Sequence, residues 1–266
     1  MNRQWTAPTE LPASLVAERR GETAILTLSR PQKRNALNSE TVLGIETFFR
    51  LLPDAVKVVI IRGEGENFSA GLDLSELTES GVAEAIDHSR TWHRVFEGIE
   101  FGRVPVIAVL HGAVLGGGLE LAAACHVRVA EATAYYALPE AQRGIFVGGG
   151  GSVRLPRLIG TAKMMDMVLT GRVLGAEEGQ AAGISGYLVE PSAGLEMALG
   201  LAAKIASNAP LSNFAAIQAL PRIARAEPST GLLLEALMSA AAQSDPQAKS
   251  RLRAFLEKRA GKVLRS

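Results

Sequence analysis

Apolar positions recur with two different periods along the chain, and the change of period divides it. Residues 15–19 and 23–28 alternate apolar and polar side chains around Arg20-Gly21-Glu22, which predicts a β-hairpin. Residues 56–61 and 104–110 are near-continuous apolar runs, the pattern of strands covered on both faces. A glycine-bearing turn follows each: Phe68-Ser-Ala-Gly71 after the first, and His111-Gly112 with the triplet Gly116-Gly117-Gly118 after the second. Residues 41–52 carry apolar side chains at helical spacing, with Asn38 or Ser39 as cap and Pro53 as stop. The spacing also predicts helices over 82–99 and 119–125 and a strand over 126–130. Two strand–turn units in succession predict a spiral of stacked βα modules rather than a doubly wound sheet.

Beyond Leu155 the period becomes helical: 161–170, 176–182, 192–207, 211–224, 230–244 and 246–259, with Pro210, Pro228 and Pro246 at helix starts. The chain thus divides into an α/β core, residues 1–190, and a helical C-terminal region, residues 191–266. That region is richer in alanine and leucine than one helix layer can hide, so a trimer or larger assembly is expected to cover the excess.

Composition narrows the classes. The 266 residues are 47% apolar, enough for one large core. With 28 basic and 27 acidic residues the net charge is +1, which supplies no electrostatic footprint for nucleic acid or an anionic membrane. The single cysteine, Cys125, lies in a small-residue helical run and predicts a packed thiol in a reducing, cytoplasmic setting. The first 13 residues read as a polar arm without the apolar segment of a secretory signal. No apolar run approaches the roughly 20 residues of a membrane span. His88 and His93 are five residues apart, off a shared helical face, and there is no His-Glu-x-x-His pattern, so no metal site is expected.

Candidate chemistry concentrates between His111 and Glu140. A strand, a glycine turn and a helix start leave backbone N–H groups free and aimed at an anion. Glu120 falls in the first turn of that helix, and Glu140 ends the extended segment Leu138-Pro139-Glu140. Earlier in the chain, the N–H of Ala70 is accessible because only small residues flank it. Two carboxylates beside N–H donors suit acid–base chemistry on an oxyanion. The run Gly148-Gly149-Gly150-Gly151 permits a dinucleotide-binding reading, but no acidic residue ends a strand about 20 residues on. A turn wrapping a substrate or Glu140 fits it better.

Phe68-Ser-Ala-Gly-Leu-Asp-Leu74, His111-Gly-Ala-Val-Leu-Gly-Gly-Gly-Leu-Glu120 and Pro139-Glu140, taken together, resemble the crotonase superfamily, specifically enoyl-CoA hydratases. The resemblance runs from Arg30-Pro-Gln-Lys-Arg-Asn-Ala-Leu37 to Ala254-Phe-Leu-Glu-Lys-Arg259. It implies a spiral of ββα units with a helical C-terminal trimerisation region, as a homotrimer or dimer of trimers. It places oxyanion-hole donors at the N–H groups of Ala70 and Gly117, and catalytic glutamates at Glu120 and Glu140. Glu140 would be the principal acid–base, with Glu120 helping to hold the water. The substrate would be an acyl-CoA, with no separate cofactor. Lys33, Arg34 and Ala36 would meet its nucleotide end, and Phe255 and Lys258 of a neighbouring subunit would pack on adenine and phosphate.

The sequence departs from the family pattern at His111, where asparagine is common, at His126, where aspartate is common, and at Phe146-Val147-Gly148, in place of a proline-containing turn. Tyr135, Tyr136 and Phe146 are expected to crowd the acyl pocket and favour a short substrate. The 144–151 run also resembles the methylthioacryloyl-CoA hydratase branch, where thioester hydrolysis would follow hydration. Three other readings stand beside hydration: a thioester hydrolase or enoyl-CoA isomerase on the same fold, a non-catalytic RNA- or protein-binding member, and a nicotinamide-dependent oxidoreductase using the glycine run.

Overall fold

The computed structural model describes residues 10–76 and 81–257. β1 (Leu15–Arg20) and β2 (Thr23–Leu28) form the expected hairpin. There follow α1 (Ser39–Arg50), β3 (Val58–Gly63), α2 (Val82–Glu100), β4 (Val106–Leu110), β5 (Ala113–Leu115), α3 (Gly117–Ala124), β6 (Val127–Glu131) and β7 (Tyr135–Ala137). After these come α4 (Gly151–Ile159), α5 (Thr161–Thr170), β8 (Leu174–Gly175), α6 (Ala176–Ala182), β9 (Tyr187–Val189) and α7 (Gly194–Ala206). The chain continues through α8 (Pro210–Gln218), α9 (Leu220–Ile223), α10 (Pro228–Ser244) and α11 (Pro246–Leu256). Among the described residues no helix is long and apolar enough to cross a membrane.

The large sheet has the order β1-β2-β3-β4-β6-β9, antiparallel in the hairpin and parallel thereafter. A small sheet, β5-β7-β8, lies beside it, and isolated bridges Leu37–Leu72 and Ser69–Val114 continue its layer back to earlier turns. Successive turns of the chain therefore lay one strand in the large sheet and one extended segment in the small layer. This is the crotonase-like α/β spiral, and the repeated strand–glycine turn is its sequence trace.

The continuous apolar runs have a direct cause. Along β2 to β6 the side chains alternate between two faces. Leu26, Val59, Ile61, Ala108 and Leu110 face the main core with α1 to α3. Ile25, Val58, Ile60, Ile107 and Val109 face Ala198, Leu201 and Ala202 of α7. α7 begins beyond residue 190 yet forms one wall of the core, so the sheet packing continues past the expected division of the chain.

Local differences from the expected elements follow from proline and turn chemistry. The strand expected from residue 56 starts at Val58, because the Val56 N–H closes a turn on the Pro53 carbonyl at 3.0 Å. The helix expected over 211–224 divides at Ala219, since Pro221 has no N–H to continue it. α10 starts at Pro228, capped by the Glu227 carboxylate. Cys125 is packed in the core as expected, its thiol pushed up to about 12 by burial.

The loop carrying Lys33, Arg34 and Ala36 is held by Asn35, which adopts a left-handed φ of +54° and is almost wholly buried. Its Nδ2 donates to the Glu64 and Asn67 carbonyls at 2.9 and 2.7 Å, and its Oδ1 accepts the Arg30 N–H at 2.9 Å. Asn35→Ala would strand these three backbone groups. It is expected to lower the unfolding free energy by about 2–4 kcal/mol, measured by urea titration, since each orphaned buried group costs about 1–3 kcal/mol.

Candidate active site

Glycines build the floor of the site. Gly116 precedes α3 with φ +47° and ψ −121°, a backbone region closed to residues with a β-carbon. A β-carbon there would also lie 2.6 Å from Oε1 of Glu140. One on Gly118 would lie 2.6 Å from the Ser69 carbonyl, so the third glycine of the triplet lets α3 press against residues 68–72. The close packing brings two N–H groups together. A β-carbon on Gly117 would stand 3.3 Å from the Leu72 nitrogen, and one on Gly71 would stand 3.0 Å from the Gly117 nitrogen.

Among the described residues neither the Leu72 nor the Gly117 N–H has a hydrogen-bond partner, and both residues line one cavity. Ala70 does not join them. Its N–H donates to the Arg34 carbonyl at 2.9 Å, so the donor expected at Ala70 is already engaged. The free donor lies two residues on, at Leu72. The Ala70 reading fails because a small side chain makes a backbone group reachable but does not leave it unpaired.

The cavity is about 330 Å³ and is also lined by Glu120, Glu140, Trp92 and Phe146. Glu120 is buried on α3. Its Oε1 accepts the N–H groups of Gly149 and Gly151 at 2.9 and 2.7 Å. Burial raises its pKa, and those N–H groups and Arg154 oppose the rise. Glu140 is buried where β7 runs into a 3-10 turn, and its Oε2 has no partner among the described residues. Burial, followed by the proximity of Glu120, pushes it up to about 7. The site therefore holds two acids, one braced by fixed N–H donors and one poised to change protonation near neutrality.

The other expected positions divide. The glycine run wraps Glu120 rather than Glu140, and the bonds from Gly149 and Gly151 leave those N–H groups unavailable to a pyrophosphate. Lys33 pairs with Asp73 at 3.6 Å, one residue from Leu72, and Arg34 is exposed beside it. Ser75 and Arg30 hold the Asp73 carboxyl well below the usual range. Ala36 is buried, and its carbonyl accepts Arg30 Nη1 at 2.8 Å. Phe255 is exposed on α11 and does not line the cavity of its own chain. Lys258 lies outside the described residues.

Of the aromatics expected to crowd the pocket, only Phe146 lines it. Tyr136 packs against Gly179 and Tyr135 is not a lining residue. Trp92 of α2 takes their place: its ring backs Gly117 and Gly149 and stacks edge-on to Phe96. Nothing local in the sequence marks Trp92 beyond its i,i+4 spacing from Phe96.

His111 and His126 have structural partners. His111 Nε2 lies 3.1 Å from the Gly65 carbonyl. The Val106 N–H donates to His126 Nδ1 at 2.9 Å, which places the proton on Nε2, 3.1 Å from the Glu100 carbonyl. Among the described residues no cluster of His, Cys, Asp or Glu could hold a metal ion.

The Glu140 environment has a measurable cost. Folded, Glu140 keeps its proton up to a pH of about 7, whereas an ordinary glutamate loses it near 4.5. Between those values the unfolded chain binds fewer protons, so stability falls as pH rises, and the loss is complete above the upper value. Glu140→Gln is therefore expected to be more stable than wild type by about 3 kcal/mol at pH 8. Denaturant titrations at pH 8 and pH 4 should show this gain at the first and its disappearance at the second.

The chain matches the family described as enoyl-CoA hydratase/isomerase over residues 18–263. It is 34% identical over 249 residues to the short-chain-enoyl-CoA hydratase of Clostridium acetobutylicum, covering 92% of this chain and 95% of that one. It is also 34% identical over 251 residues to the 2,3-dehydroadipyl-CoA hydratase of Escherichia coli, covering 93% and 97%. The crystal structure of a candidate enoyl-CoA hydratase from Rhodopseudomonas palustris superposes with a TM-score of 0.91 at 57% identity, over 95% of this chain and 98% of that one. With that likeness spanning the whole spiral and its buried carboxylates, the chain belongs to the enoyl-CoA hydratase/isomerase family of the crotonase superfamily, as a hydratase-type lyase.

Proposed function

We propose that the protein adds water across the C2=C3 bond of a short-chain 2-enoyl-CoA. The observation that carries this reading is the meeting, in one cavity, of two unpartnered N–H groups with two buried glutamates. A thioester oxygen seated between the Leu72 and Gly117 N–H groups would gather the enolate charge as water attacks C3. Donors placed where charge develops cost no reorganisation during the reaction. Glu120, with Oε1 held by Gly149 and Gly151, keeps Oε2 for the water and takes its proton as the C–O bond forms. Glu140, the principal acid–base, supplies the proton to C2, and the pair regains its starting state by exchange with solvent.

We take the acyl group to be short, since the cavity is about 330 Å³ and the bulky Trp92 and Phe146 are among the residues that line it. 3-Methylthioacryloyl-CoA is the specialised candidate, with thioester hydrolysis as a second step. Lys33, Arg34 and Ala36 are assigned to the nucleotide end of coenzyme A. Phe255 and Lys258 are assigned to the same end from a neighbouring copy in a trimer or dimer of trimers.

Hydration is tested by loss of the enoyl-thioester ultraviolet absorbance with crotonyl-CoA and 3-methylthioacryloyl-CoA, with a thiol reagent reporting free CoA. Glu120→Ala and Glu140→Ala are each expected to lower kcat by at least about a hundredfold. Free CoA formed from either substrate without prior hydration would favour a hydrolase, and double-bond migration without water uptake an isomerase.

The donors can be separated by replacing a single amide with an ester, which removes one N–H and leaves the side chain. An ester at Leu72 is expected to cost about 10²–10³ in kcat, the range for loss of one oxyanion donor. An ester at Ala70 should act mainly on stability, and the reverse outcome would return the donor role to Ala70.

A further inference from the structure

The run 148–151 has four glycines and no side chain to orient its peptide planes, so their orientation must come from outside the run. Two contacts supply it. Ser89 Oγ on α2 donates to the Gly148 carbonyl at 2.6 Å, which turns the Gly149 N–H of that plane onto Glu120. Arg154 Nη1 on α4 donates to the Gly149 carbonyl at 3.1 Å and so fixes the next plane, from which the chain turns to bring the Gly151 N–H to the same carboxylate oxygen.

Arg154 is built into this place. Its side chain is 9% exposed, and its Nε donates to Glu100 Oε2 at 2.7 Å. The other Glu100 oxygen is taken by Arg225 at 2.5 Å. Gly150 has a φ of +93°, and a β-carbon there would lie 2.3 Å from Arg154 Nη1, so the glycine is what allows the guanidinium to approach. A buried cation held by a carboxylate on one side and spending a donor on a glycine carbonyl on the other is more than a surface ion pair.

We infer that Arg154, clamped by Glu100, is a positioning residue for Glu120: it holds the Gly149–Gly150 peptide so that two N–H groups fix Glu120 Oε1 and leave Oε2 to the reacting water. This rests on the hydratase reading. The assignment predicts a loss in turnover larger than any loss in substrate binding, since the Leu72 and Gly117 N–H groups lie outside the glycine run.

The test compares Arg154→Met, Arg154→Lys, Arg225→Met and the double variant Arg154→Met/Glu100→Gln, with thermal unfolding measured on each. The double variant avoids leaving the Glu100 charge without Arg154, the usual reason a broken buried pair fails to fold. With crotonyl-CoA, Arg154→Met and the double variant should lose about a hundredfold in kcat with KM within about twofold, the scale of a roughly 1 Å misplacement of a reacting group. Arg154→Lys, which keeps a donor near the carbonyl, should recover part of the rate, and Arg225→Met should stay close to wild type.

Wild-type kcat in the folded double variant would overturn the assignment. So would an equal loss in Arg225→Met, which would assign the effect to the ion-pair cluster as a whole. A crystal structure of the double variant decides the point without any turnover. Release of Glu120 Oε1 from the Gly149 and Gly151 N–H groups supports the clamp, and retention of both bonds refutes it. An inactive wild type would refute the hydratase reading alone, because the crystallographic comparison still decides the role of Arg154.

Discussion

A carboxylate as buried as that of Glu120 must be hydrogen-bonded or lose its charge, and this constraint organises the region around it. The protein meets it with backbone rather than with a side-chain cation in contact. Two N–H groups from a run of glycines converge on one oxygen, and residues with β-carbons could not come so close. Glycine allows the approach, and Ser89 and Arg154 then fix the turn that glycine alone would leave loose. Burial raises the proton affinity of both glutamates; at Glu120 the N–H groups and Arg154 oppose the rise, while Glu140 Oε2 has no partner among the described residues. Two chemically identical residues thus meet different hydrogen-bond surroundings in one cavity.

The spiral explains how the parts of this site meet. Parallel strands deliver their C-terminal ends to the same edge of the large sheet, and each following turn enters the small layer beside its neighbours. Leu72, Gly117 and Glu140 therefore come from three successive turns of the chain yet line one cavity. α2, crossing between the second and third turns, brings Trp92 and Ser89 to the same cavity. α7 covers the outer face of the same sheet with Ala198, Leu201 and Ala202, so the strands that carry the site are packed on both sides.

Much of this was legible in the chain itself, and for a local reason. Strand runs, the glycine triplet, the Asn38 cap and the position of Glu120 in a first turn depend on residues within a few places of one another, where spacing and backbone freedom are read directly. Gly117, Glu120 and Glu140 could be marked because a glycine turn entering a helix and acids at element ends are sequence patterns. The family likeness, carried by the same motifs, extended that reading to the spiral.

What the tertiary structure alone decided are the pairings between distant segments. Whether the Ala70 or the Leu72 N–H is free depends on the Arg34 carbonyl, 36 residues from Ala70. That the glycine run serves Glu120 rather than Glu140 or a pyrophosphate depends on where α3 and α4 pack. Trp92, not Tyr135 or Tyr136, walls the cavity because α2 turns that face inward. Arg154 looks like any helical cation until Glu100 and the Gly149 carbonyl are seen on either side of it. The chain by itself determined which groups could do chemistry. Folding determined which of them remain unpartnered, and a hydrogen bond made across the fold leaves no trace in local spacing.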